Sequence, residues 1–241
     1  MKRNVFIKPA VLAGSALFAG FALAGDPSSK AAIATASSSN LAVNFGAGYS
    51  SDYVFRGNNN GADLFDASIG VSGSGDNFDW AAGLWLASYE GGNELDIHMS
   101  ASKSLSDNLD LTLGVTNYSY FGGAGGGDDL EPYVSLGTSV GGISLGVAAY
   151  YNESGAAAAH DIYWELTAGL VEMDLGGNMT LGISGVLGHF DDGPVDTFYG
   201  ISAGLSIAAS DSITVTPHIT HTIDGESGDE TVTGVSVGFA F

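Results

Sequence analysis

The stretch Leu41–Gly57, LAVNFGAGYSSDYVFRG, alternates apolar residues with small or polar ones over almost its whole length. Leu41, Val43, Phe45, Ala47, Tyr49, Tyr53 and Phe55 hold odd positions, and Asn44, Gly46, Gly48, Ser50, Asp52 and Arg56 hold even ones. Only Ser51 and Val54 fall out of step. Alternation with period two marks a β-strand, whose side chains point to opposite faces in turn. Strands of soluble sheets average about five or six residues. This run is far longer, and a tilted strand needs about 9–11 residues to cross a bilayer. The reading is a strand with one face on lipid and the other on a wet lumen.

The same pattern recurs down to the last residue. Phe65, Ala67, Ile69 and Val71 make a second run. Leu95, Ile97, Met99 and Ala101, set against Glu94, Asp96, His98 and Ser100, make a fourth. Ile162, Trp164, Leu166, Ala168 and Leu170, set against Asp161, Tyr163, Glu165 and Thr167, make an eighth, and Val235, Val237, Phe239 and Phe241 the twelfth and last. The connectors alternate in length. Short ones are expected at Gly73–Asn77, Ser104–Asn108, Gly141–Gly142, Gly176–Asn178 and Ser210–Ser212. Longer ones are expected at Gly57–Ala62, Glu90–Asn93, Gly122–Asp129, Glu153–Ala159, Asp191–Val195 and Asp224–Glu230. An even strand count, short periplasmic turns and longer extracellular loops describe an all-β, antiparallel up-and-down transmembrane barrel of twelve strands. Closure is demanded because the bilayer core offers no water to an open sheet edge. A soluble barrel or sandwich fits poorly, given the strand lengths and hairpin-only connections. Two outward aromatic girdles are expected: Tyr53, Phe55, Phe65, Tyr151 and Tyr199 toward the loops, and Phe78, Trp80, Phe239 and Phe241 toward the turns.

Three segments follow. Lys2, Arg3 and Lys8 precede an apolar run over 11–21 and the sequence Ala22-Leu23-Ala24, so residues 1–24 read as a secretory signal peptide. A second cleavage site follows Ala34-Thr35-Ala36. Residues 25–40 read as a flexible periplasmic segment, and 41–241 as the barrel. The expected location is the bacterial outer membrane. The chain has no Cys, which removes disulfides and thiolate metal sites from consideration. Beyond the leader only Lys30, Arg56 and Lys103 oppose 27 acidic residues, a balance that repels nucleic acid.

SDYVFRG, Ser51 to Gly57, resembles the opening-strand motif of the TorF-type porin family of exported outer-membrane proteins. It departs from that motif immediately afterwards, where NNNGAD replaces the usual continuation. The resemblance implies an outer-membrane barrel more than any particular substrate. The terminal VSVGFAF, with Phe239 and Phe241, is similar to the C-terminal signal read by the barrel-assembly machinery of outer-membrane proteins.

Lumen-parity residues include Asp52, Asp66, Asp96, Asp110, Glu131 and Glu165, with Arg56 the one strong cation among them. An acidic lumen favours cations over anions, so the expected function is passive diffusion of small polar or cationic solutes. Arg56 is expected to pair with Asp66, or else with Asp52, as a constriction or as a strut for the first hairpin. The sequence calls for no cofactor. Acid clusters at Asp128-Asp129, Asp191-Asp192 and Asp224 to Glu230 lack a twelve-residue calcium-loop pattern. A structural or adhesive barrel acting through those loops is one alternative. A barrel hydrolase using His160, His189 or His221 with Asp161, Asp191 or Asp192 is another, although no serine stands in a nucleophile motif.

Overall fold

The structure, a computed structural model, describes residues 41–123, 127–153, 161–191 and 197–241. Twelve strands follow one another: β1 Leu41–Phe55, β2 Asn58–Ser74, β3 Asp79–Tyr89, β4 Gly92–Ser106, β5 Leu109–Phe121, β6 Gly127–Val140, β7 Ile143–Tyr151, β8 Ile162–Gly176, β9 Met179–Phe190, β10 Thr197–Ser210, β11 Ile213–Gly225 and β12 Gly228–Ala240. Each pairs antiparallel with its chain neighbours, and β12 returns to β1, with Phe45 opposite Phe239 and Ala47 opposite Val237. The sheet is a closed barrel with no free edge. Every hydrogen-bonding edge is thus satisfied inside the sheet, as hydrocarbon requires.

The alternation sorts side chains as the sequence indicates. Phe45, Ile69, Leu84, Ile97, Leu113, Val134, Val147, Leu166 and Ile201 are exposed on the outer wall. Ser72, Asp96, Thr116, Glu131, Glu165, Ser202 and Thr220 are buried within. Oily residues outside and polar ones inside reverse the arrangement of a water-soluble barrel.

Two departures have local causes. In β8, Gly169 pairs with Ser184 but Val171 with Ile183, so Leu170 is an extra residue. This bulge shifts the alternation by one position and keeps Val171, Met173 and Leu175 exposed beyond Leu170. In β1 the alternation reverses between Ser50 and Tyr53, at the level where Asp63 of the facing strand takes φ +56°. Tyr53 is therefore buried, and Phe55 packs against Tyr53 and Tyr118 inside the barrel. Both leave the outer girdle expected of them. Phe65, Tyr151, Tyr199, Phe78, Trp80 and Phe241 are exposed as expected.

Three of the expected longer loops are strand instead. Gly57–Ala62, Glu90–Asn93 and Asp224–Glu230 contract to two-residue turns at 56–57, 90–91 and 226–227. Over these residues the apolar alternation ends while the backbone ladder continues. The expected loops at Gly122–Asp129, Glu153–Ala159 and Asp191–Val195 lie partly or wholly outside the described residues.

Candidate functional site

The first hairpin bends over the barrel mouth. Its turn is Arg56–Gly57, with φ +49° and +80°, the pattern of a type I′ turn. That turn ordinarily takes Asn-Gly or Gly-Gly, because a side chain at positive φ costs about 1–2 kcal/mol. Arg56 accepts that conformation and sends its side chain across the lumen. In a ring of twelve strands, β7 stands opposite β1.

On the far side Glu131 of β6 receives the guanidinium. Arg56 Nη1 donates to Glu131 Oε2 at 2.6 Å and Nη2 to Oε1 at 2.8 Å. Tyr118 of β5 donates its hydroxyl to the same Oε1 at 3.0 Å. Three rings enclose the guanidinium carbon: Tyr163 of β8 at 4.1 Å, Tyr150 of β7 at 4.6 Å and Phe55 at 4.7 Å. Tyr163 in turn donates to Glu165 at 2.9 Å and stacks parallel to Phe198 at 6.3 Å between centroids. The pair is nearly dry, with the side chains of Arg56 and Glu131 only 10% and 2% exposed. A two-pronged bond to a guanidinium that never loses its proton is among the strong charge-assisted contacts.

The near side of the tip is seated as firmly. Glu226 donates its amide to the Gly57 carbonyl at 2.9 Å, and the Asn59 amide donates to Ser227 Oγ at 3.1 Å. A Cβ on Gly57 would stand 2.9 Å from Cγ of Phe198, so only glycine fits beneath that ring. Gly188 plays the same part under the other edge of Phe198, where a Cβ would collide with Cε1 of the ring. Ring-over-glycine packing lets Phe198, fully buried, and Tyr163 fill the upper lumen.

A second buried cluster lies along β1, β3 and β4. Tyr53 donates to Glu94 Oε2 at 2.7 Å, and its ring meets Tyr89 at 4.8 Å and Trp85 at 5.9 Å. Glu94 and Asp96 are both fully buried there.

The expected lumen residues thus divide. Arg56 and Glu131 come into contact, and Glu165 joins them through Tyr163. Asp96 belongs to the second cluster. Asp66 lies over Gly48 on the opposite wall. Asp110 accepts from Ser104 at 2.6 Å, toward the short-turn end. Asp52 stands at the reversal in β1, outside the regular lumen-facing series. The partner of Arg56 is Glu131, not Asp66 or Asp52, because the tip turns inward instead of lying along its own hairpin.

Some of this was not visible in the sequence. Tyr118, Tyr150 and Tyr163 share lumen parity on the nearby strands β5, β7 and β8, and Tyr150 pairs directly with Tyr163, but the spacing gives no sign that the first hairpin's tip arrives among them from across the ring. Ser50 and His218 also meet in the lumen, with Oγ and Nε2 3.4 Å apart and His218 Nδ1 3.4 Å from the Thr216 carbonyl. Of the histidines weighed for catalysis, His189 lies 3.8 Å from Asp191 and His221 bonds Thr231. His160 and Asp192 lie outside the described residues.

No family profile and no curated protein matches the chain. Solved structures do. The chain is similar to the NanC porin, with TM-score 0.55 and 13% identity over 82% of this chain and 98% of that one. The KdgM porin gives 0.53 and 11%, covering 83% and 99%. Outer membrane phospholipase A from Escherichia coli gives 0.53 and 12%, covering 82% and 92%. The fold is therefore the closed, twelve-stranded antiparallel barrel of outer-membrane proteins.

Proposed function

We propose that this chain is a porin-like channel of the bacterial outer membrane, passing small polar or cationic solutes by diffusion. The observation that carries the reading is the charge of the interior. Between residues 41 and 241 the only Lys and Arg are Arg56 and Lys103. Lys103 is exposed, near the short-turn end of β4. Arg56 is neutralised by Glu131, while Glu94, Asp96 and Glu165 add buried acid to the lumen side. A pore of that sign raises the barrier to anions. The similarity to two porins supports the same reading, as does the TorF-type heptapeptide. The leader at residues 1–24 and the Phe239/Phe241 assembly signal belong to it too.

The purified barrel in planar bilayers tests it. Channels selective for potassium over chloride are expected, with larger conductance in Arg56→Ala as the tip loosens. Silence in both proteins would leave the second reading, a shut barrel that acts through its acidic loops. The packing of Phe198, Tyr163 and Tyr150 across the upper lumen favours that alternative.

A further inference from the structure

Arg56 makes more contacts than a hairpin tip needs. A strut requires one carboxylate. This side chain has a carboxylate gripped by both prongs, a tyrosine hydroxyl holding that carboxylate, and two rings of the barrel wall, Tyr163 and Tyr150, within 4.6 Å of its guanidinium carbon, besides its own neighbour Phe55. Aromatic rings around a carboxylate form a recognised receptor for organic cations. The two-pronged geometry narrows the class further, because a planar guanidinium matches a carboxylate and stacks on rings where a compact ammonium does neither as well.

The receptor and its occupant come from different parts of the chain. Glu131, Tyr118, Tyr150 and Tyr163 sit on β5 to β8, within the barrel wall. Arg56 sits on a two-residue turn with positive φ, a backbone that Asn or Gly would adopt at less cost. Turn chemistry therefore gives no reason for arginine here, whereas the cage does. Local strain at such a residue points to a use for its side chain.

We propose that the cage of Glu131, Tyr118, Tyr150 and Tyr163 is a binding site for small guanidinium-bearing solutes, which Arg56 fills as an internal stand-in while the first hairpin is down. This names the solute class of the channel proposed above and rests on that reading. A solute drawn in by the acidic lumen competes with Arg56 for Glu131, and its binding favours the hairpin-up state. The ligand shifts the equilibrium only by its preference for that state.

The test uses the full barrel in detergent micelles, with methylguanidinium chloride as probe and methylammonium chloride as control, read by calorimetric titration. Arg56→Gly suits the turn and empties the cage. This variant is expected to bind methylguanidinium about tenfold or more tighter than methylammonium, and tighter than wild type does by a similar factor. Adding Glu131→Gln should remove that gain, since a hydrogen bond to a charged group contributes about tenfold or more. Equal binding of both cations by R56G, or equal binding of the probe by wild type and R56G, overturns the proposal. Should R56G fail to fold, hydrogen exchange on wild type decides: methylguanidinium should speed exchange across 55–59, and unchanged exchange overturns the site. Conductance without binding would remove the cage alone, whereas binding without conductance would remove the channel and leave the cage.

Discussion

Arg56 and Glu131 are 75 residues apart in the chain and 2.6 Å apart in space. Bringing both charges out of water is costly, and the pair offsets that cost only while both members remain. Removing one is therefore worse than removing both. Glu131→Gln is expected to lower stability by about 3–5 kcal/mol, because a guanidinium stays buried with a neutral partner. Urea titration of the barrel in detergent measures it. Arg56→Ala combined with Glu131→Gln should lose less than the sum of the single changes, and strict additivity would show that the two do not interact. The parity of both residues was legible from the alternation around them. Their partnership was not, because parity gives a face and says nothing about which part of the opposite wall a side chain reaches.

The first hairpin behaves as a jointed element. Its lower part, from Leu41 opposite Gly73 to Ser50 opposite Leu64, is regular barrel wall. Above Tyr53 the register shifts, and the tip leans onto the β11–β12 turn through Gly57 and Asn59. The Asn59 amide and Ser227 Oγ are 3.1 Å apart, and the chain has no cysteine of its own. A cysteine pair at Asn59 and Ser227 should therefore pin the tip down. Bilayer conductance is expected to fall when that disulfide forms and to return with a reductant. Conductance indifferent to oxidation would mean that the tip does not move during passage. Ser51 and Val54, the two residues out of step in an otherwise regular run, were the sequence's one sign of this joint. A strict period-two reading carried across them placed Tyr53 and Phe55 on the wrong face.

For the whole molecule, closure depends on the seam between β1 and β12. Phe241 continues it past the last strand residue, exchanging backbone bonds with Val43 at 2.9 and 3.2 Å. Its ring meets Phe45 edge-on at 6.0 Å. Phe241→Ala keeps the backbone bonds and loses the ring pair, a change of about 0.5–1.5 kcal/mol. Refolding into lipid vesicles should thus be nearly normal, while the assembly signal proposed at Phe239 and Phe241 leads us to expect a sharp drop in assembly in cells. Folded barrel on unheated gels gives both values. Equal behaviour in the two settings would reduce Phe241 to a seam residue.

The sequence by itself determined the strand number, the antiparallel order, the oily exterior and the polar interior, because alternation is a local property and the bilayer punishes every exception to it. Only the tertiary structure decided what fills the lumen. The inward tip, the Glu131 pairing and the ring cage lie inside the barrel, where alternation gives a side chain its face and no rule of spacing gives its partner. There, contacts between strands on opposite sides of a closed ring set the arrangement, and nothing in the order of the chain encodes that distance.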